Sequence, residues 1–250
     1  MKRGFPLAIQ KQAIQKRAIQ KLFIQTLALQ RGRSAARRGV FSAVILIICL
    51  GAAPLYANTS EEHLPTLLVM GDSLSAAYGI EQEQGWVTLL AERLDGEAQV
   101  VNASISGETT SGGAQRFTDI IGQREPDIVL LELGGNDGLR GLPPAQMRAN
   151  LATMIEQSQQ AGAEVLLLGI DIPPNYGQAY RDAFTGVYHS LAEEYDLSLV
   201  PFLLEDIALN QQLMQSDGIH PTAEAQPIIL DNVWPALEPM LEDTYQASSQ

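Results

Sequence analysis

The run IVLLELGGNDGLRGLPP, residues 128–144, decides the fold. Its first six residues are apolar but for Glu132, with no polar alternation, which predicts a strand buried on both faces; the two glycines after it end the strand in a polar loop. Four more short apolar runs stand to either side: LLVM (67–70), QVVNA (99–103), EVLLLGI (164–170) and LSLVPF (197–202). Amphipathic stretches between them predict helices at about 85–95, 111–123, 144–161 and 177–195, with a last one at about 222–242. Strands alternating with helices imply a parallel sheet. The right-handed crossover rule then leaves a doubly wound, three-layer α/β/α domain with five strands as the simplest architecture.

Ligands of such sheets bind beyond the carboxyl ends of the strands, where the winding direction reverses. The chemically capable residues fall there. Gly71-Asp72-Ser73 follows the first strand, Ser106-Gly107-Glu108 the second, Gly134-Gly135-Asn136-Asp137 the third, and Asp217-Gly218-Ile219-His220 the fifth. With the strand order 2-1-3-4-5, the first three loops are neighbours.

A serine hydroxyl is a weak nucleophile at neutral pH and needs an imidazole in hydrogen-bond reach, with a carboxylate to fix the tautomer. Ser73 is the candidate nucleophile, His220 the base and Asp217 its orienting acid. Ser73 opens a helix-ward turn whose backbone N–H groups favour a developing negative charge. The N–H groups of Ser73 and Gly107 and the side-chain amide of Asn136 are candidates to hold an oxyanion. Ser75 replaces the second glycine of G-x-S-x-G, so the α/β-hydrolase elbow is not matched. Asp72 and Asp137 are expected to hydrogen-bond their own loops. His63 and His189 are isolated, so no metal site is expected.

The blocks LLVMGDSLSAAYGI, NASISGETTSGG, LLELGGNDGLRGLPP, IPPNYG and DGIHPTAEAQP resemble the successive blocks of the SGNH (GDSL) hydrolases, from about Thr66 to Leu237. They look closest to the branch of periplasmic multifunctional esterases. The resemblance implies a flavodoxin-like fold and an acyl-enzyme mechanism without metal or organic cofactor. It implies substrates among thioesters, aryl esters and lysophospholipids. It places the nucleophile at Ser73, the oxyanion hole at Ser73, Gly107 and Asn136, and the rest of the triad at His220 and Asp217. A mobile loop over the acyl groove maps to Gly138–Pro143. Leu74, Gly138, Leu139, Leu142, Ile172 and Pro173 are candidates for the groove. Asp171 stands where related enzymes commonly carry Arg, which predicts a preference for neutral over anionic esters. A carbohydrate deacetylase with the same constellation, and an acyl-binding module without turnover, are the alternative functions.

Composition separates the chain into two parts. It has 250 residues, 46% hydrophobic and 18% charged, enough for one sizeable core. All ten basic residues before position 40 precede any acid, and from Glu61 onward six Arg and no Lys face 29 acids, a net charge of minus 23. Nucleic acid is an unsuitable partner for that part. The basic start, the apolar VFSAVILIICL of residues 40–50 and the small residues after it predict a signal sequence cleaved after Ala57, and a periplasmic or secreted product. Residues 1–57 thus read as basic extension plus signal peptide, and 58–250 as the hydrolase domain. An uncleaved anchor at 40–57 is the alternative and would give the only membrane contact. Ala-Ile-Gln recurs at Ala8, Ala13 and Ala18, a five-residue spacing that fits no helical period. The only cysteine, Cys49, lies in the apolar run, so the exported part must fold without a disulfide.

Overall fold

The computed structural model describes residues 64–248, and the expectations for residues 1–57 and for His63 lie outside them. Five strands form one parallel sheet in the order β2-β1-β3-β4-β5: β1 (Thr66–Gly71), β2 (Gln99–Asn102), β3 (Ile128–Glu132), β4 (Glu164–Leu168) and β5 (Ser198–Val200). The three-layer α/β/α fold with its five parallel strands is as expected. The two central strands, β1 and β3, are buried at every residue, which is why their sequences lack alternation. Edge strands β2 and β5 are partly exposed and shorter.

Helices α1 (Trp86–Leu94), α2 (Thr110–Arg124), α3 (Gly135–Leu139), α4 (Pro144–Gln160), α5 (Gln178–Tyr195) and α6 (Gln226–Ser248) fill the connections. α1 packs with α6, while α2, α4 and α5 pack in series, giving the two outer layers. Trp86, Phe117, Phe184 and Tyr188 carry large side chains from these helices fully into the core. No described helix is long and apolar enough to cross a membrane.

Two elements differ from expectation. α6 runs on to Ser248, beyond the expected end near 242, and its last turns are tied down where the Tyr245 hydroxyl donates to Glu97 O at 3.2 Å. α3 was not expected, because five residues with two glycines carry no helical period. It is preceded by Gly134, where φ is +126° and a Cβ would lie 2.3 Å from the Tyr188 hydroxyl, so only glycine fits. That bend turns the chain sharply after β3 and presents Asn136.

Candidate active site

At the carboxyl end of β1 the chain wraps around two carboxyl groups. Asp72 N–H donates to Glu132 Oε2 at 3.1 Å, and the Ser75 hydroxyl donates to the same oxygen at 2.8 Å. Leu74 N–H donates to Asp72 Oδ1 at 3.0 Å, and Asn136 Nδ2 donates to Asp72 Oδ2 at 2.9 Å. Ser73 is half-buried between these fixed points. The turn it opens is irregular, with Ala76 N–H on Asp72 O at 3.0 Å and Tyr78 N–H on Ser73 O at 3.3 Å, and no helix forms before α1 apart from a 3-10 turn at Gln82–Gln84.

The other half comes from a hairpin that precedes α6. An antiparallel bridge joins Met214 to Pro221, and Thr222 N–H donates to Leu213 O at 2.8 Å. At its tip Asp217 Oδ1 accepts the N–H groups of Ile219 and His220, both at 3.0 Å, and Oδ2 accepts His220 Nδ1–H at 2.7 Å. Nε2 is thereby left as an acceptor, 3.0 Å from Ser73 Oγ. Burial alone would raise the Asp217 carboxyl, but the His220 imidazole and the two N–H groups outweigh it and hold it down at about 2. Asp217 is therefore ionised at neutral pH, and can stabilise a cation on His220.

Gly107 lies exposed in the loop after β2 with φ of +79°. That loop is fastened to the neighbouring one. Thr110 donates its N–H and hydroxyl to Asp137 at 2.8 and 2.6 Å, and Arg140 Nη2 donates to Gly107 O at 2.8 Å. Asn102 Nδ2 donates to Ser75 O at 2.7 Å, tying the end of β2 to the Ser73 turn. Asp72 does bond its own loop, through Leu74, but its second oxygen holds Asn136. The expectation for Asp137 was wrong: both its oxygens serve Thr110, at the start of α2.

Burial pushes Asp72 up to about 6, against the pull of the Leu74 N–H, the Asn136 amide, His220 and Ser73. Burial, reinforced by the Asp72 charge, pushes Glu132 well above the usual range. Glu132 is fully buried and its Oε1 has no hydrogen-bond partner, so its surroundings favour the neutral acid over the carboxylate. Among the described residues no group of three His, Cys, Asp or Glu could hold a metal ion.

The groove candidates divide. Leu74, Gly138 and Ile172 are buried, with Leu74 7% and Ile172 3% exposed; Leu139, Leu142 and Asp171 are half-buried, and Pro173 is exposed. The segment expected to be mobile is tethered, since Tyr176 and Tyr180 donate their hydroxyls to Leu139 O and Leu142 O, each at 2.7 Å. Asp171 forms an ion pair with Arg181 and accepts Ile172 N–H at 2.7 Å. Its charge is already neutralised, which removes the ground for expecting it to repel anionic esters.

Residues 69–227 match the model of the GDSL-like lipase/acylhydrolase family. The chain belongs to that family. Within it, the chain is 50% identical over 198 residues to esterase TesA of Pseudomonas aeruginosa, covering 78% of this chain and 98% of that one. It is 45% identical over 176 residues to thioesterase 1/protease 1/lysophospholipase L1 of Escherichia coli K12, covering 70% and 85%. A crystal structure of TesA superposes with a TM-score of 0.68 at 53% identity, covering 70% of this chain and 99% of that chain. The chain thus shares its family and its SGNH fold with proteins named as esterase and thioesterase.

Glu132, Tyr78, Arg181 and Gln215 are among the residues around the site that were not singled out from the sequence. Only Glu132 left a signal, a lone acid inside an apolar strand. The other three act through partners distant in sequence or across a turn.

Proposed function

We propose that the protein is an exported serine esterase that hydrolyses acyl esters and thioesters, with aryl esters, acyl thioesters and lysophospholipids as its substrate classes, through an acyl-enzyme on Ser73. The observation that carries this is the continuous line from Asp217 through His220 to Ser73, with contacts of 2.7 and 3.0 Å. His220 Nε2 takes the Ser73 proton as Oγ bonds to the substrate carbonyl carbon. The imidazolium then gives that proton to the leaving alcohol or thiol as the carbon–oxygen or carbon–sulfur bond breaks. Water then attacks the acyl carbon as it loses a proton to Nε2, the carbon–Oγ bond breaks, and Nε2 returns that proton to Ser73 Oγ, releasing the carboxylic acid.

The negative charge on the tetrahedral oxygen falls to the N–H groups of Ser73 and Gly107 and to Asn136. One amide proton of Asn136 is occupied by Asp72, which leaves the other for the oxyanion. In this reading residues 58–250 are the hydrolase unit, and residues 1–57 are a leader that directs export. Leu139, Leu142 and Pro173 remain the groove candidates with exposed surface.

The test is hydrolysis of a series of aryl esters and acyl thioesters by the purified protein and by Ser73→Ala, with labelling by a serine-directed phosphonate. Turnover and label are both expected to vanish in Ser73→Ala while the fold persists. Turnover near wild type in that variant would overturn the reading.

A further inference from the structure

The ring of Tyr78 lies against the imidazole of His220, with centroids 4.3 Å apart and planes inclined by 38°. Tyr78 is 50% exposed, so burial does not hold it there. A strap does. Gln215 donates Nε2 to Tyr78 O at 2.8 Å and to Pro221 O at 2.9 Å, while its own N–H donates to His220 O at 2.7 Å. The next residue, Gly79, leaves the room this requires, since a Cβ there would come within 2.2 Å of Gln215 Oε1. One amide side chain thus joins the Ser73 turn to the hairpin that carries His220.

The imidazole is faced by Asp217 at Nδ1, by Ser73 at Nε2, by the charge of Asp72, and by the Tyr78 ring. An aromatic face attracts a cation and also limits rotation of a ring packed against it. We propose that Tyr78, held by Gln215, is a positioning residue: its ring keeps the imidazole in line between Asp217 and Ser73 and favours the imidazolium that forms when Ser73 gives up its proton. The proton passes from Ser73 Oγ to Nε2 and on to the leaving group; Tyr78 exchanges none. The inference rests on the hydrolytic roles proposed above for Ser73 and His220.

The experiment measures kcat, KM and the pH profile of kcat on one aryl ester for the full chain and for Tyr78→Phe, Tyr78→Leu, Gln215→Ala and Ser73→Ala, each with its melting temperature. Tyr78→Phe is expected to match wild type. Tyr78→Leu is expected to lower kcat about three- to tenfold with KM little changed, and to move the acid limb of kcat about half a pH unit lower, the size of a partly exposed cation–π contact. Gln215→Ala is expected to shift both in the same direction. Wild-type kcat and acid limb in Tyr78→Leu would overturn the inference, as would a fall in kcat with an unmoved limb, or an equal fall in Tyr78→Phe. An active Ser73→Ala would instead overturn the proposed function itself.

Discussion

Asn136 and Asp72 are joined across the ends of β3 and β1, Nδ2 to Oδ2 at 2.9 Å, so that the proposed oxyanion donor rests on a buried carboxylate next to the proposed nucleophile. Replacing Asp72 by Asn would set one amide donor against another. Asp72→Asn is expected to lower kcat by about ten- to a hundredfold with little change in KM, somewhat less than outright loss of such a donor. Steady-state kinetics on an aryl ester check this.

The same carboxyl makes stability depend on pH. Asp72 ionises at about 6 in the fold, against 3.8 in the unfolded chain. Between those values the folded state keeps a proton that the unfolded state has lost, so stability falls as pH rises from about 4 to 6. Glu132, also raised by burial, acts in the same direction. Urea midpoints should decline across this range, and the decline should be shallower in Asp72→Asn.

Asp217 has the opposite sign. Its carboxyl is lowered from 3.8 to about 2, so what it adds to stability is present above pH 4 and lost as pH falls through 2. A loss of activity near pH 6 would then not belong to Asp217. Asp217→Asn should cut kcat by about 10³- to 10⁴-fold through the wrong imidazole tautomer, and should lower the melting temperature at pH 7 modestly, because the stabilisation from the ionised carboxylate is present at that pH but weakened by exposure to solvent.

Two tyrosine hydroxyls restrain the segment after α3. The double variant Tyr176→Phe, Tyr180→Phe removes both bonds, each worth about 1 kcal/mol net. Amide hydrogen exchange over residues 139–143 should accelerate, with the sheet protected as before. Unchanged exchange there would mean that packing of α5 alone restrains the segment.

Gly169 follows β4 and lies beside the end of β5, where its N–H donates to Val200 O, and a Cβ there would lie 2.3 Å from Pro201 O. Because the obstacle is backbone, it cannot step aside. Gly169→Ala should destabilise the fold by about 2 kcal/mol or more, measured by urea denaturation.

The strands and the loops that follow them were legible because a parallel strand buried on both faces loses its alternation and ends in turn-forming residues. Ser73, Asn136, Asp217 and His220 could be placed at one rim by that logic alone. Contacts between loops could not. Asp137 looks like any turn acid until Thr110 of the preceding unit is seen to reach it. Asp171 looks like an unopposed charge until α5 brings Arg181 back over it. Leu74 and Ile172 resemble groove residues by position, but their burial depends on how the helices close over them.

The partners Ser73 and His220 stand 147 positions apart in the chain, one at the first strand and the other on the last hairpin. A growing polypeptide therefore carries a harmless alcohol for most of its synthesis. Under the proposed mechanism it acquires chemistry only when its final quarter docks, and a fragment cut anywhere before that hairpin would be inert toward esters.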